Sequence, residues 1–220
     1  MNCISLEQIT FRYEPEEPAV FKDYDFQVEE GECLILRGDN GAGKTTLFKI
    51  LNGLVFPEKG SYQFFGTEIT RSYMAKNQNS KSFHKRVGYL FQNADVMLFN
   101  AKVYDEIAFG PRQMGLSEEE VQIRVEDCME LLDISNLRDK APYHLSGGQK
   151  KRVAIAAILA LNPEVFIMDE PLNGLDQKTH ERMVDLIRDL KAAGKTLVIA
   201  THDDEFAQDI GDRQVNLSFT

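Results

Sequence analysis

Gly38-Asp39-Asn40-Gly41-Ala42-Gly43-Lys44-Thr45-Thr46 is the stretch on which the reading of this chain turns. It follows the β-prone run Glu32–Arg37 and leads into the helical pattern Leu47-Phe48-Lys49-Ile50-Leu51. Strand, glycine loop and helix in that order are the context that the pattern G-x-x-x-x-G-K-[ST] requires. Glycines let the backbone wind with its N–H groups turned inward, so Asn40, Gly41 and Gly43 are expected to line a nest for polyphosphate oxygens. A helix starting near Gly43 adds unpaired N–H groups and the positive end of its dipole. Lys44 is expected to reach the β- and γ-phosphates, the Thr45 hydroxyl to be a ligand of Mg²⁺, and Thr46 to complete the phosphate contacts. The stretch predicts a site for a nucleoside triphosphate.

The rest of the composition bounds what surrounds that site. At 220 residues and 25.0 kDa, the chain suits one domain with room for a subdomain. Hydrophobic residues at 43% and charged ones at 27% suit a globular fold. A net charge of -10 argues against a general nucleic-acid surface, because phosphate neutralisation needs basic faces. Cys3, Cys33 and Cys128 form no CxxC pair and read as structural thiols of a reducing compartment. The chain opens with no signal-peptide pattern, and its longest apolar run, Val153–Leu161, is far short of the ~20 residues that span a bilayer.

Along the chain, strands are expected over residues 3–13, 24–28, 60–69, 87–91, 165–168 and 196–200, and a polar loop over 70–82. From 102 to 145 the pattern turns helical, with Ser117 and Glu120 at capping-box spacing. Further helices are expected over 146–161 and 176–193, then a short final helix and strand. Strands alternating with helices predict an α/β fold with a mostly parallel core sheet. Antiparallel strands precede the glycine loop and a helical subdomain is inserted.

Two further motifs carry chemistry. Val165-Phe166-Ile167-Met168-Asp169-Glu170 is an apolar strand ending in two acids. Ligands of a parallel sheet sit beyond the carboxyl ends of its strands, which places this pair at the edge served by the glycine loop. Asp169 suits Mg²⁺ and Glu170 suits a proton acceptor for an attacking water. Leu145-Ser146-Gly147-Gly148-Gln149 opens a helix, with Ser146 and Gln149 again at capping-box spacing. Capping does not explain Gly147 and Gly148, which cost a helix roughly 1 kcal/mol each against alanine. They suit close approach of a phosphate. Because Lys44 and its loop already serve one nucleotide, a second such helix start suggests a site completed by another copy of the chain.

Gly38–Thr46, Gln92, Leu145–Gln149, Val165–Glu170, Asp176 and His202 together resemble the ATP-binding cassette of ABC transporters, over nearly the whole chain. The resemblance implies a P-loop NTPase core and a head-to-tail dimer with two ATP molecules at its interface. Each ATP would lie between one glycine loop and the Ser146-Gly147-Gly148 of the other subunit, with Gln149 beside them. It further implies that Gln92 senses Mg²⁺ and the γ-phosphate, that Asp176 crosses the interface, that His202 holds the γ-phosphate and that Tyr13 stacks on adenine. Tyr13 as an ordinary strand-end aromatic is the lesser alternative. The segment Val87–Pro111 is similar to ATPases of cobalt, nickel and energy-coupling-factor vitamin importers. Met97 and the run Pro171-Leu172-Asn173 depart from that subfamily's pattern.

What this implies is a single ABC ATPase domain over 1–220. Approximately 1–91 and 162–220 form its nucleotide-binding core, and 92–161 its helical subdomain. The chain is then a peripheral ATPase on the cytoplasmic face of the membrane, docked on integral membrane subunits. Val96, Met97, Leu98 and Phe99 are candidate contacts, or else subdomain core. The chain ends at Thr220, soon after His202, so a regulatory extension is not expected. Off-membrane relatives give the competing reading. Residues 47–144 hold no sustained heptads, against the DNA-repair type. One cassette rather than two argues against the ribosome-associated type. An iron–sulfur assembly ATPase is the alternative that stays open.

Overall fold

The computed structural model describes residues 1–217. Its strands are β1 (Asn2–Phe11), β2 (Phe21–Glu29), β3 (Cys33–Arg37), β4 (Lys59–Phe64), β5 (Thr67–Glu68), β6 (Val87–Leu90), β7 (Val165–Asp169), β8 (Thr196–Ala200) and β9 (Arg213–Asn216). Its α-helices are α1 (Lys44–Leu51), α2 (Arg71–Met74), α3 (Asn77–Arg86), α4 (Val103–Gln113), α5 (Glu118–Leu131), α6 (Gly147–Leu159), α7 (Gln177–Ala192) and α8 (Asp204–Ile210). Two units divide the chain: residues 1–84 with those from 190 onward, and Lys85–Asp189.

In the first unit β2, β1, β4 and β5 form an antiparallel sheet in that order. Ile4, Leu6 and Ile9 of β1 and Val28 of β2 are fully buried, and the polar residues between them face out. Tyr62 of β4, also buried, donates its hydroxyl to the Leu51 carbonyl at 2.7 Å and so ties this sheet to the end of α1. Strand β3 runs parallel to β8 on one side and β9 on the other. Its residues Cys33–Leu36 are buried without alternation, as a strand covered on both faces requires.

In the second unit β6 and β7 pair in parallel, with Leu90 opposite Met168. Helices α4, α5 and α6 pack on one another, and α6 also lies against β6. That last contact is close. A Cβ on Gly88 would stand 2.4 Å from Ile158 Cγ2. The fold is α/β as expected, with an antiparallel subdomain and an inserted helical one.

One expectation fails. Residues 70–82 are not a loop: they contain α2 and most of α3. The run is polar and lacks an apolar period, so nothing local marks it as helical. The Thr70 side chain caps α2 by accepting the Tyr73 N–H at 3.0 Å. Phe83, the buried residue of α3, meets Phe64 edge-on at 5.0 Å. A cap on α2 and one buried aromatic on α3 support helices that propensity alone does not.

Candidate nucleotide site

The first unit holds the glycine loop. Gly43 caps α1 at φ 97°, and a Cβ there would come within 3.1 Å of both Phe21 Cζ and Val20 Cγ1. A larger residue would therefore need an unfavourable backbone and displaced neighbours. No acidic side chain lies in the first turn of α1, so the positive end of the helix is not neutralised from within it. Lys44 Nζ donates to the carbonyls of Gly38 (2.5 Å) and Asp39 (3.1 Å). An ammonium has three hydrogens, so this grip orients the charge over the loop without using up its donors. Thr45, like the loop-tip residues Asn40 and Gly41, is exposed.

Thr46 is buried, and its Oγ1 is 3.0 Å from the Tyr13 hydroxyl. The Tyr13 ring meets Phe11 edge-on at 5.1 Å and has Lys49 Nζ 5.5 Å from its centroid. It is still 46% exposed, so a pinned ring presents a surface beside the first turn of α1. The Tyr13–Thr46 link has no signature in the sequence, because the two residues are separated by two strands and the loop.

His202 follows β8. Since β8 is parallel to β3, with Ala200 opposite Leu36, both strands leave the sheet at the same edge. Arg37, the last residue of β3, fastens that arrangement: Nη1 donates to Thr201 O at 2.8 Å and Nη2 to Asp204 Oδ1 at 2.6 Å. The structure thus brings His202, which is exposed, and the glycine loop to one edge of this unit.

The second unit holds the remaining residues. Gln92 lies exposed just past β6, and Asp169 ends the parallel neighbour β7. Asp169 is 4% exposed. Glu170 follows at φ 50°, a left-handed conformation that costs a non-glycine residue on the order of 1 kcal/mol. Its turn closes through Asn173 N–H donating to Glu170 O at 3.3 Å. Lys151 of α6, 6% exposed, donates to Glu170 O at 3.0 Å and Asn173 O at 2.6 Å. Burial pulls the Lys151 ammonium below the usual lysine range, and the Glu170 charge opposes that shift. Sequence reasoning passed over Lys151, although a signal was there: at helical spacing it shares the buried stripe of Ala154, Ile155 and Ile158.

Ser146 caps α6 in the expected box, its Oγ accepting the Gln149 N–H at 3.4 Å and Gln149 Oε1 accepting the Ser146 N–H at 3.0 Å. A Cβ on Gly147 would meet nothing within 4 Å among the described residues, and on Gly148 only Leu175 Cδ2 at 3.9 Å. Crowding inside the chain does not call for glycine at either position. Asp176 caps α7, accepting from Thr179 N at 3.0 Å and Thr179 Oγ1 at 2.8 Å. Those bonds hold its carboxyl below the usual range.

Val96 and Phe99 are 69% and 67% exposed, against a core role, whereas Met97 and Leu98 are half-buried. Buried Glu106 shapes this segment by accepting the N–H groups of Phe99 (2.9 Å) and Asn100 (2.7 Å) on one oxygen. The three cysteines are free and buried, and burial raises their thiols, Cys3 and Cys128 to about 11 and Cys33 to about 12. They have the environment of inert core thiols.

Residues 21–173 match the family model described as ABC transporter. The chain belongs to the ABC transporter family. It is 46% identical over 215 residues to the nickel import ATP-binding protein LarO of Lactiplantibacillus plantarum, covering 98% of this chain and 89% of that protein. Among solved structures, it is similar to cbiO1 from Clostridium perfringens, part of the ABC transporter complex cbiONQ. There the TM-score is 0.83 and the identity 32%, over 99% of this chain and 85% of the other. It also resembles the dimeric ATP-binding cassette MJ0796 bound to ADP and Pi, at TM-score 0.87 and 27% identity over 98% and 94% of the two chains. The chain is therefore an ABC ATPase with the P-loop fold, binding and hydrolysing ATP. No helix among the described residues of this ABC ATPase is long and apolar enough to cross a membrane.

Proposed function

We propose that this ABC ATPase energises import of a metal ion or vitamin, working as a head-to-tail dimer at the cytoplasmic face of a membrane on integral membrane subunits. The observation that carries the reading is the 46% identity, over almost the whole chain, with a protein named for nickel import. The likeness to a member of the cbiONQ complex supports it, as do the exposed Val96 and Phe99, which suit an apolar partner. Residues 1–220 act as one domain, in which 1–91 and 162–220 supply the nucleotide-binding core and 92–161 the helical subdomain.

In this reading Tyr13 stacks on adenine, and Asn40, Gly41, Gly43, Lys44, Thr45 and Thr46 hold the phosphates. Ser146, Gly147, Gly148 and Gln149 close on the ATP of the partner subunit. The uncrowded Cβ positions of Gly147 and Gly148 support that assignment, since the reason for glycine there must come from outside the chain. Asp176 stands at the interface, His202 and Gln92 at the γ-phosphate, and Glu170 accepts the proton of the attacking water. The donors assigned to Mg²⁺, the Thr45 hydroxyl, the Gln92 side-chain oxygen and the Asp169 carboxylate, are all hard oxygens and fit that ion. When bound, Mg²⁺ neutralises charge developing on the phosphates.

Co-purification from mild detergent tests the partner assignment, and uptake of radioactive nickel or cobalt in cells lacking the chain tests the cargo. The reading predicts co-elution with multi-span membrane proteins and uptake restored by the wild-type chain but not by Lys44→Ala. A chain that elutes without membrane partners, with metal and vitamin uptake unaffected by its loss, would overturn it.

A further inference from the structure

The turn that carries Glu170 is held from below by a buried lysine. Glu170 sits in a left-handed backbone conformation, and the carbonyls of Glu170 and Asn173, the two ends of its turn, both accept from Lys151 Nζ at 3.0 and 2.6 Å. Lys151 lies on α6, the helix that opens with Ser146-Gly147-Gly148, one turn beyond its cap. The neighbouring side chains of that turn reach elsewhere in the same unit. Lys150 pairs with Asp95 at 2.7 Å, and Arg152 Nη1 donates to the carbonyls of Leu132 (3.2 Å) and Asp133 (2.9 Å). Three consecutive cations near the positive end of a helix are unfavourable for the helix itself. Each is accounted for by its contact, and only Lys151 is turned to the turn that follows β7.

A buried cation spent on two backbone carbonyls makes sense if the position of that backbone matters. We propose that Lys151 is a positioning residue for hydrolysis: by gripping the Glu170 and Asn173 carbonyls it keeps the Glu170 carboxylate aimed at the attacking water. The proposal rests on the reading of Glu170 as proton acceptor. It adds a direct path, through α6 alone, between the segment assigned to the partner's nucleotide and the residue assigned to this subunit's own hydrolysis. The lysine touches no reacting atom. It acts by geometry, where a displacement of about 1 Å can cost on the order of 10²-fold in rate.

The test is a double-mutant cycle on the full chain. Lys151→Met keeps the stem length and removes the donors. It is expected to lower kcat about 10²-fold, with KM for Mg·ATP and ATP affinity within about threefold of wild type, because the glycine loop is untouched. Lys151→Arg, which restores charge and donors, should recover most of kcat. In a Glu170→Gln background Lys151→Met should cost little more, since a residue acting through Glu170 has nothing left to position. Losses that multiply in the double mutant, or a folded Lys151→Met with wild-type kcat, overturn the proposal. Glu170→Gln with wild-type turnover overturns the underlying assignment instead, and so distinguishes the two failures. If Lys151→Met does not fold, judged by circular dichroism, Lys151→Gln enters the same cycle. Loss of the fold in both assigns Lys151 to the core and also overturns the proposal.

Discussion

The Tyr13 hydroxyl and Thr46 Oγ1 stand 3.0 Å apart, joining the residue assigned to adenine with the end of the phosphate loop. The bond fixes the ring while leaving its face open, which is preorganisation of a stacking surface. Tyr13→Phe, which keeps the ring and loses the bond, is expected to weaken ATP binding several-fold, in line with about 1 kcal/mol for a neutral hydrogen bond. Tyr13→Ala also loses stacking, worth ~1–3 kcal/mol per base, and should weaken it more. Fluorescent-nucleotide titration of both variants measures this: a Phe variant with wild-type affinity would remove the bond from the account, and equal affinities for Phe and Ala would remove the stacking.

Lys44→Ala is expected to abolish hydrolysis and strongly weaken ATP binding. The substitution removes a side-chain cation that bonds to the carbonyls of Gly38 and Asp39, and with it the charge assigned to the β- and γ-phosphates. Calorimetric titration with Mg·ATP and a phosphate-release assay check it; unchanged affinity and turnover would discard the glycine-loop assignment.

Ser146→Arg should leave ATP binding by the isolated subunit nearly intact while removing hydrolysis, because Ser146 is assigned to the other subunit's nucleotide. Its cap on α6 is lost as well, so thermal stability should fall by about 1 kcal/mol. Loss of ATP binding by the monomer would contradict the shared-site arrangement.

Glu170→Gln should bind Mg·ATP normally, lose roughly 10²–10⁴-fold in hydrolysis and accumulate as an ATP-dependent dimer. Binding to the closed state alone favours that state by mass action, and hydrolysis no longer releases it. Size exclusion with ATP or ADP at several protein concentrations reads this out. ADP should support no dimer. An inactive variant that stays monomeric with ATP at high concentration would favour a related chain as the partner.

Asp176 offers a pH-dependent check. Its carboxyl is held below the ordinary value of 3.8 by the bonds from Thr179, so the charged form caps α7. The sign follows: this stabilisation is complete above the ordinary carboxyl value and disappears as pH falls through the lower folded one. Asp176→Ala should lower the melting temperature at neutral pH and narrow the gap from wild type as pH falls below the ordinary carboxyl value of 3.8, where the depressed carboxyl takes up its proton. A constant gap across that range would sink the assignment.

Sequence alone determined the class of fold and named the residues proposed for the site. Strand, glycine loop and helix are local patterns, as is the capping box at Ser146, and the acids after Met168 follow an unmistakably buried strand. The parallel pairing of β3 with β8 was also implicit, because alternating strands and helices fold that way. What only tertiary structure decided are relations between segments with no shared period or motif. Within 71–86, α3 is anchored where Phe83 meets Phe64, a partner that the polar run around it does not reveal. Val96 and Phe99 are exposed, and Glu106 accepts the N–H groups of Phe99 and Asn100, neither of which an apolar cluster in sequence can reveal. The hold of Lys151 on the Glu170 turn uses backbone carbonyls, which every residue possesses, so its partners are invisible in the sequence. A side chain's type is local information, but what it touches is settled by packing, and hydrogen bonds to backbone leave no mark on the partner's identity.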